Sequence, residues 1–330
     1  MSWSPETFGW VRDGIGNLKA AREVEDSIGA FTFGTKYYVA TTSEVSNASD
    51  NNLGTSKREP FATIAKANAT MATNQHDVCY ISAGSGHTLS DELVISKSRV
   101  HFVGTGFREG AHQGQRTRLS LGVTTGSAIA AIKITGTGVT LNNLKISSAD
   151  TLSTSLYSVA DGGEFTILRN CWLEKSTDLN QTGAAELLAN GDTASYLGCT
   201  FGNMIYRPSV ARQNVLFTRE TITGKVCRAT EFVDCNLLGY PSVTTFSHMR
   251  TGANANDIER FVNVITCRFL SKVGGSIANE AITIATTLTE GGFFLDRILT
   301  NASNIATNLR GVFSNMPNSA SLGGRVTEVS

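Results

Sequence analysis

The hexapeptide Leu168-Arg169-Asn170-Cys171-Trp172-Leu173 returns 28 residues later as Tyr196-Leu197-Gly198-Cys199-Thr200-Phe201. The same phrase can be followed along most of the chain. It reads FVGTGF from Phe102, LNNLKI from Leu141, FVDCNL from Phe232, VITCRF from Val264 and FLDRIL from Phe294. Taking the fourth letter as register gives Thr105, Leu144, Cys171, Cys199, Cys235, Cys267 and Arg297, separated by 39, 27, 28, 36, 32 and 30 residues. A period that tolerates such insertions is the mark of a solenoid.

The columns of the alignment say which kind. The first position is apolar in every copy, and so is the last: Phe107, Ile146, Leu173, Phe201, Leu237, Phe269 and Leu299. Both columns are expected to face inward. The third reads Gly104, Asn143, Asn170, Gly198, Asp234, Thr266 and Asp296, mostly types that tolerate left-handed backbone, which predicts a bend between two short strands. Helical repeats would need about 10 to 15 residues of 3.6 periodicity per copy; these copies instead set β-branched and aromatic residues between Gly, Asn, Ser and Thr clusters. The reading is an all-β stack of parallel β-coils.

Composition agrees. Gly is 32 of 330 residues, Pro only 5, charged residues 17% and hydrophobic residues 41%, enough for one elongated core without a second domain. Lys+Arg and Asp+Glu are both 28, and no basic run is interleaved with aromatics. The electrostatic footprint of a nucleic-acid binder is therefore missing. Four of the six cysteines (Cys171, Cys199, Cys235, Cys267; the others are Cys79 and Cys227) fall in one column, where residues stack about 4.8 Å apart. That favours a ladder of reduced, buried thiols over a metal site, since there is no CxxC pair and the five histidines lack zinc-type spacing to cysteine. Reduced thiols point to folding in a reducing cytoplasm. The start, MSWSPETFGWVRDGIG, lacks the basic and apolar regions of a secretory signal, and Ala128–Ile134 is too short to span a bilayer.

The expected organisation is an N-terminal arm over 1–35, a solenoid over 36–300 and a C-terminal tail or cap over 301–330. In the arm, Asn17–Gly29 suits a short amphipathic helix with Leu18, Ala21, Val24 and Ile28 on one face. It either packs on its own solenoid or docks on a neighbouring subunit. Trp3, Phe8 and Trp10 sit in an arm too short for its own core, so with Leu18 and Ile28 they are the interface candidates. Lys36–Thr41 reads as a strand, 42–59 as a polar loop, and Pro60 opens a second helix near 60–73 that buries Phe61, Ile64 and Met71 and caps the stack.

The succession Tyr37-Tyr38-Val39-Ala40-Thr41-Thr42, an Asn-rich loop, then Pro60-Phe61-Ala62-Thr63-Ile64 and a short helix resembles the opening of right-handed parallel β-helix proteins of the pectate-lyase-like superfamily. The likeness runs through the coils to about residue 300 and is specific for fold rather than chemistry. It implies a helix plugging the N-terminal end of the stack. Many members are virion proteins of tailed bacteriophages, including tailspikes, fibres and capsid decoration proteins, often trimers.

The same fold carries glycosidases and lyases, and fold alone proves no activity. A hydrolase needs two carboxylates about 5 Å or about 6.5 to 9.5 Å apart. Asp234 and Asp296 share a column two coils apart, roughly 10 Å on strand spacing. Because that column also holds Gly and Asn, turn formation explains both without chemistry. Glu164, Glu174, Asp178, Glu186, Glu220 and Glu231 lie in other phases of the repeat, and no calcium-type acidic cluster stands out. Trp172, in the outward-facing fifth position, either marks a sugar groove or packs beneath a loop. The sequence therefore points to a non-enzymatic virion protein, a homotrimeric capsid decoration or cement protein bound to itself and to a capsid protein, without cofactor. The alternatives are a tailspike-like or fibre-like protein that binds a polysaccharide, or one that cleaves it as a glycoside hydrolase or polysaccharide lyase.

Overall fold

The computed structural model describes residues 10–12, 18–20, 34–84, 86–106, 117–122, 127–148, 154–175, 183–205, 212–219, 225–241, 243, 245–272, 280–285, 288–289, 291–302, 306 and 312–314. The chain is a parallel β-helix. Three sheets of ten, eight and seven strands run along the stack, and a coil contributes one strand to each: Ile167–Arg169 to the first, Trp172–Lys175 to the second and Ala185–Ala189 to the third. Pairing is parallel and in register from coil to coil. Leu168 lies between Leu141 and Tyr196, Leu173 between Ile146 and Phe201, and Leu187 between Val159 and Val215. These residues are inward members of a period-two alternation and join one continuous core. No helix among the described residues is long and apolar enough to cross a membrane.

The repeat alignment holds through the middle coils and shifts at both ends. Phe102 is in the first inward column, but the second strand of its coil is Thr117–Leu121, and Leu119 pairs with Ile146. Leu119 thus takes the place assigned to Phe107, which lies outside the described residues. In the last phrase, Val264 pairs with Leu295 and Phe269 with Thr300, so the true register is one residue later. Phe294 and Leu299, expected inside, are 46% and 56% exposed. A one-residue slip exchanges the two faces of a strand, and Phe-Phe-Leu offers apolar residues to either.

The corners explain the bend column. Asn143, Asn170, Gly198, Asp234, Thr266 and Arg297 all have φ between 51° and 61°. The left-handed residue aims its N–H along the stack at the next coil: Asn143 to the Arg169 carbonyl at 3.0 Å, Asn170 to Leu197 at 2.8 Å, Asp234 to Ile265 at 3.0 Å and Thr266 to Asp296 at 2.8 Å. Arg297, not Asp296, is the last member. A second such corner precedes the first sheet, at Arg99, Gly138, Phe165, Thr193 and Ala229, and it too passes N–H groups to the next coil.

The cysteine column is a ladder. Each thiol is buried and donates to the carbonyl one coil back: Cys171 to Leu141 at 3.4 Å, Cys199 to Leu168 at 3.3 Å, Cys235 to Tyr196 at 3.2 Å and Cys267 to Phe232 at 3.5 Å. All six cysteines are free. A carboxylate also enters this core. Asp161 is wholly buried, accepting from Tyr196 Oη at 2.7 Å, Thr166 Oγ1 at 2.9 Å and the Gly163 N–H at 3.0 Å. Burial outweighs these bonds and pushes its carboxyl up to about 6.

The N-terminal end carries the cap, as the resemblance implied, but the helix is shorter than expected. Helix α1 spans Ile64–Thr70, with Thr63 as N-cap accepting from the Lys66 N–H at 3.1 Å. Pro60 and Phe61 precede it. Phe61 is captured by the sheet: its N–H reaches the Tyr38 carbonyl at 2.9 Å and its own carbonyl takes the Ala40 N–H at 3.0 Å. The carbonyl of Gly54 (φ 70°) accepts the Tyr38 N–H at 2.7 Å, and Gly54 passes so close to Phe61 that a Cβ there would lie 2.3 Å from the ring. These contacts cover the edge of the first sheet. Phe61, Ile64 and Met71 are buried as expected. At the other end of α1, Lys97 Nζ donates to the carbonyls of Asn68 and Ala69, each at 2.7 Å, and of Met71.

In the arm, Leu18–Ala20 is not helical but pairs antiparallel with Trp10–Arg12. The three-residue segments WVR and LKA satisfy a hairpin as readily as a helix face. In the tail, Val312–Ser314 pairs with Phe293–Leu295 as the last strand of the first sheet.

Two outcomes are expected. Lys97→Met, which keeps the aliphatic stem and removes three charge-assisted bonds from α1, should lower unfolding free energy by about 1 to 3 kcal/mol in denaturant titration. For Asp161, a raised folded-state pKa means a stabilising contribution present below pH 3.8 and lost as pH rises through about 6. Asp161→Asn should therefore remove about 1 to 3 kcal/mol of pH dependence between pH 4 and 7, leaving wild type relatively better off in acid.

Candidate functional site

Where the solenoid begins, strand His87–Leu89 is the edge of the second sheet and Leu93–Ile95 that of the third. The third-sheet edge is covered by α1, with Asn68 Nδ2 on the Val94 carbonyl at 2.9 Å. The second-sheet edge instead lines a cleft of about 580 Å³, within the usual range for small-molecule sites. Three distant stretches form it: Thr41, Thr42 and Asp50 from the polar loop, Ala62–Ala65 at the start of α1, and Gly86–Leu93 from the first coil.

Each wall is held from behind. Asp50 Oδ1 accepts the N–H groups of Ala62 and Thr63, both at 2.9 Å, and its Oδ2 accepts Thr63 Oγ1 at 2.7 Å, fixing the loop to the helix start. Glu92 Oε1 accepts the N–H groups of Ile129 and Ala130 at 3.2 and 3.0 Å, fixing the turn to the next coil. Glu44 ties the loop to the first coil. Its Oε2 takes Ser82 Oγ at 2.6 Å and the Thr41 N–H at 2.8 Å, and its Oε1 takes the Gly84 N–H. Burial would raise this carboxyl, but the hydrogen bonds from Ser82, Thr41 and Gly84 bring it below its ordinary range. His87 Nε2 meets the Ser82 carbonyl at 3.1 Å and Ser82 Oγ at 3.3 Å, and burial lowers its pKa against the opposing pull of Ser82 and Glu44.

Serine, histidine and carboxylate in contact invite comparison with a hydrolytic triad, but the order is wrong. A carboxylate only accepts, so the Ser82 proton is committed to Glu44, and His87 Nε2–H is directed to the Ser82 oxygens. In a nucleophilic triad the histidine stands between the other two. Glu44–Ser82–His87 holds the wall of the cleft rather than activating a nucleophile.

A second polar cluster runs along the corner between the second and third sheets. Glu186 pairs with Arg212 Nη2 at 3.3 Å and takes Asn214 Nδ2 at 3.2 Å; Asn214 Oδ1 contacts His248 Nδ1 at 2.8 Å, and His248 Nε2 lies 3.4 Å from Ser271 Oγ. Burial pushes the Glu186 carboxyl up against the pull of Arg212 and lowers His248 to about 3. Its cavity, walled by Lys175, Glu186, Asn203, Arg212 and Asn214 among others, is about 20 Å³, room for roughly one water. The cluster is closed to a ligand. Trp172 belongs to the same side and is buried, donating Nε1–H to the Gly202 carbonyl at 2.8 Å beneath Lys145, whose Nζ is 4.0 Å from the ring and 2.6 Å from Glu174. It marks no open groove.

Of the residues singled out from the sequence, Asp234 and Asp296 are not brought together. Asp234 occupies the left-handed corner and accepts Thr266 Oγ1, whereas Asp296 pairs with Ile265 inside a strand and takes Arg297 Nε at 3.1 Å. The register slip places them in different columns, so no carboxylate pair forms there. Trp3, Phe8 and Ile28 lie outside the described residues, as do the side chains of Trp10 and Leu18. Among the described residues there is no group of three or more His, Cys, Asp or Glu able to hold a metal. The cleft was missed because no single motif encodes it; the signal available was only the polar loop beside a cap helix.

No protein-family model matches the chain, and no curated protein matches it. Its fold is similar to that of a pectate lyase (TM-score 0.56, 11% identity, covering 89% of this chain and 74% of that one). It is also similar to that of the pectin methylesterase from Aspergillus niger (TM-score 0.50, 10% identity, covering 90% and 91%). ORF18 of Geobacillus virus E2 aligns over 94% of this chain and 68% of that one, with 11% identity and a TM-score of 0.36. At these identities the likeness to the pectate lyase and the Aspergillus niger methylesterase shows the fold alone.

Proposed function

We propose that the chain is a polysaccharide-recognising β-helix protein of the tailspike or fibre kind, which binds a glycan segment in the cleft between the cap and the first coil. The cleft carries this reading: it is ligand-sized, open, and framed by side chains fixed through Asp50, Glu44 and Glu92 to three separate elements. Threonine and serine hydroxyls and carboxylates line it above an apolar floor of Ala62, Ile64, Ala65, Leu89 and Leu93, a combination that suits the hydroxyls and C–H faces of a sugar ring. Two proteins of similar fold bear the names of polysaccharide-acting enzymes, a support by analogy. The reading is one of binding, since Asp234 and Asp296 stand in different columns and Ser82 is committed to Glu44.

Capsid decoration has no comparable feature in its favour. A virion setting and side-to-side homotrimeric packing remain part of the proposal. Side-to-side packing is favoured by a row of half-buried aliphatics, Leu197, Val233 and Ile265, stacked on the outer face of the first sheet.

The test is a glycan panel probed with the full chain, with reducing ends and unsaturated products followed in parallel. Thr88→Trp, at an exposed edge position, should fill the cleft and weaken binding at least about tenfold while leaving the melting temperature within about 2 °C. Binding unaffected by this variant would move the site elsewhere. Accumulating products would replace recognition with depolymerisation.

A further inference from the structure

We infer that the cleft selects an uncharged or amino-bearing glycan and rejects uronates. This rests on the glycan reading above and names the substrate class of that site. Among the described residues, the ionisable side chains of the lining are three carboxylates, Asp50, Asp91 and Glu92, and His87, with no Lys or Arg. Glu44 stands directly behind the wall as a fourth carboxylate, held ionised by its hydrogen bonds. His87 does not offset them, because burial keeps the imidazole neutral at neutral pH. A cation of the coil wall, Arg118, has its Cβ 3.5 Å from where a Cβ on Gly86 would sit; it belongs to the next coil and is not among the described lining residues.

The chemistry of recognition follows. Asp50 is saturated by Ala62 and Thr63, but Asp91 is exposed and gives only Oδ1 to the Glu92 N–H at 2.7 Å, which leaves it the carboxylate most available to a ligand. Ionised carboxylates accept and never donate. They pair with sugar hydroxyls, and more strongly with an ammonium group, whereas a uronate carboxylate entering the same space meets like charge at both ends of the turn. Thr88 and Ser90, both exposed beside Asp91, supply hydroxyls that donate or accept as the sugar requires. The deciding juxtaposition is this acceptor-rich rim, without Lys or Arg among the described residues, over a short apolar floor.

Calorimetry on the full chain would compare three oligomers of matched length: a neutral glucan, a glucosamine oligomer and a galacturonate oligomer. The neutral or the amino oligomer should bind, and the galacturonate oligomer at least about tenfold more weakly. The discrimination should shrink as salt is raised from 0.05 to 0.5 M, as an electrostatic origin requires. Asp91→Lys should raise galacturonate affinity and lower glucosamine affinity, each at least about tenfold. Galacturonate binding as tight as the neutral oligomer in wild type, or an unchanged ratio in Asp91→Lys, overturns the inference while leaving glycan recognition standing. Absence of binding by all three overturns the recognition itself and this inference with it.

Discussion

Each coil of this protein leaves much of its backbone hydrogen bonding to its neighbours, and everything else follows from keeping that ladder unbroken around the corners. In a flat sheet a strand ends and its last groups turn to water. Here the chain must change direction three times per coil while still presenting N–H groups along the stack. The left-handed residues solve this: Asn170 hands its N–H to Leu197, Asp234 to Ile265, and at the other left-handed corner Phe165 to Asp192 and Thr193 to Arg228. A non-glycine residue in that conformation is strained by about 1 kcal/mol or more, and it persists because the coils above and below over-determine it.

The same constraint shapes the interior. A column one residue wide must be filled in every coil by something that fits between identical neighbours. Beside the left-handed corner the space is small and a carbonyl of the previous coil is close. Cysteine fills it because its thiol is compact and can donate weakly to that carbonyl. Asp161 shows the limit of tolerance: a buried carboxylate is kept only because Tyr196, Thr166 and the Gly163 N–H converge on it.

Much of this was legible in the sequence, and the reasons it failed are local. The inward columns and the Asn, Gly and Asp corner could be read because burial and left-handed geometry each restrict residue type. The second corner could not, since Arg99, Phe165, Thr193 and Ala229 carry no such signature and are held there by tertiary hydrogen bonds. Phe107 and Phe294 misled because an insertion or an extra apolar residue preserves the look of a phrase while changing its register. Pro60 misled because Phe61 gains more by pairing with Tyr38 and Ala40 than by starting a helix. The candidate site was illegible for a different reason: its walls come from three stretches that only the closing of the first coil brings together.

The position of that site is itself a consequence of the ladder. A stack of parallel strands must end, and at its end three sheet edges ask to be covered. Here the first is covered by Phe61 and Gly54 and the third by α1, while the second, His87–Leu89, opens onto the cleft. The contacts that build the cleft are therefore the contacts that close the fold: Asp50 both starts α1 and forms a wall, and Glu44 both anchors the loop and sets the charge behind it. A site of this kind is rigid because stability demands it. It differs from a groove along the side of the solenoid, where loops can vary coil by coil without disturbing the stack, since at the capped end Asp50 and Glu92 both line the cleft and hold the fold. Changes in specificity there must pass through the exposed positions, Thr88, Ser90 and Asp91, which the fold does not need.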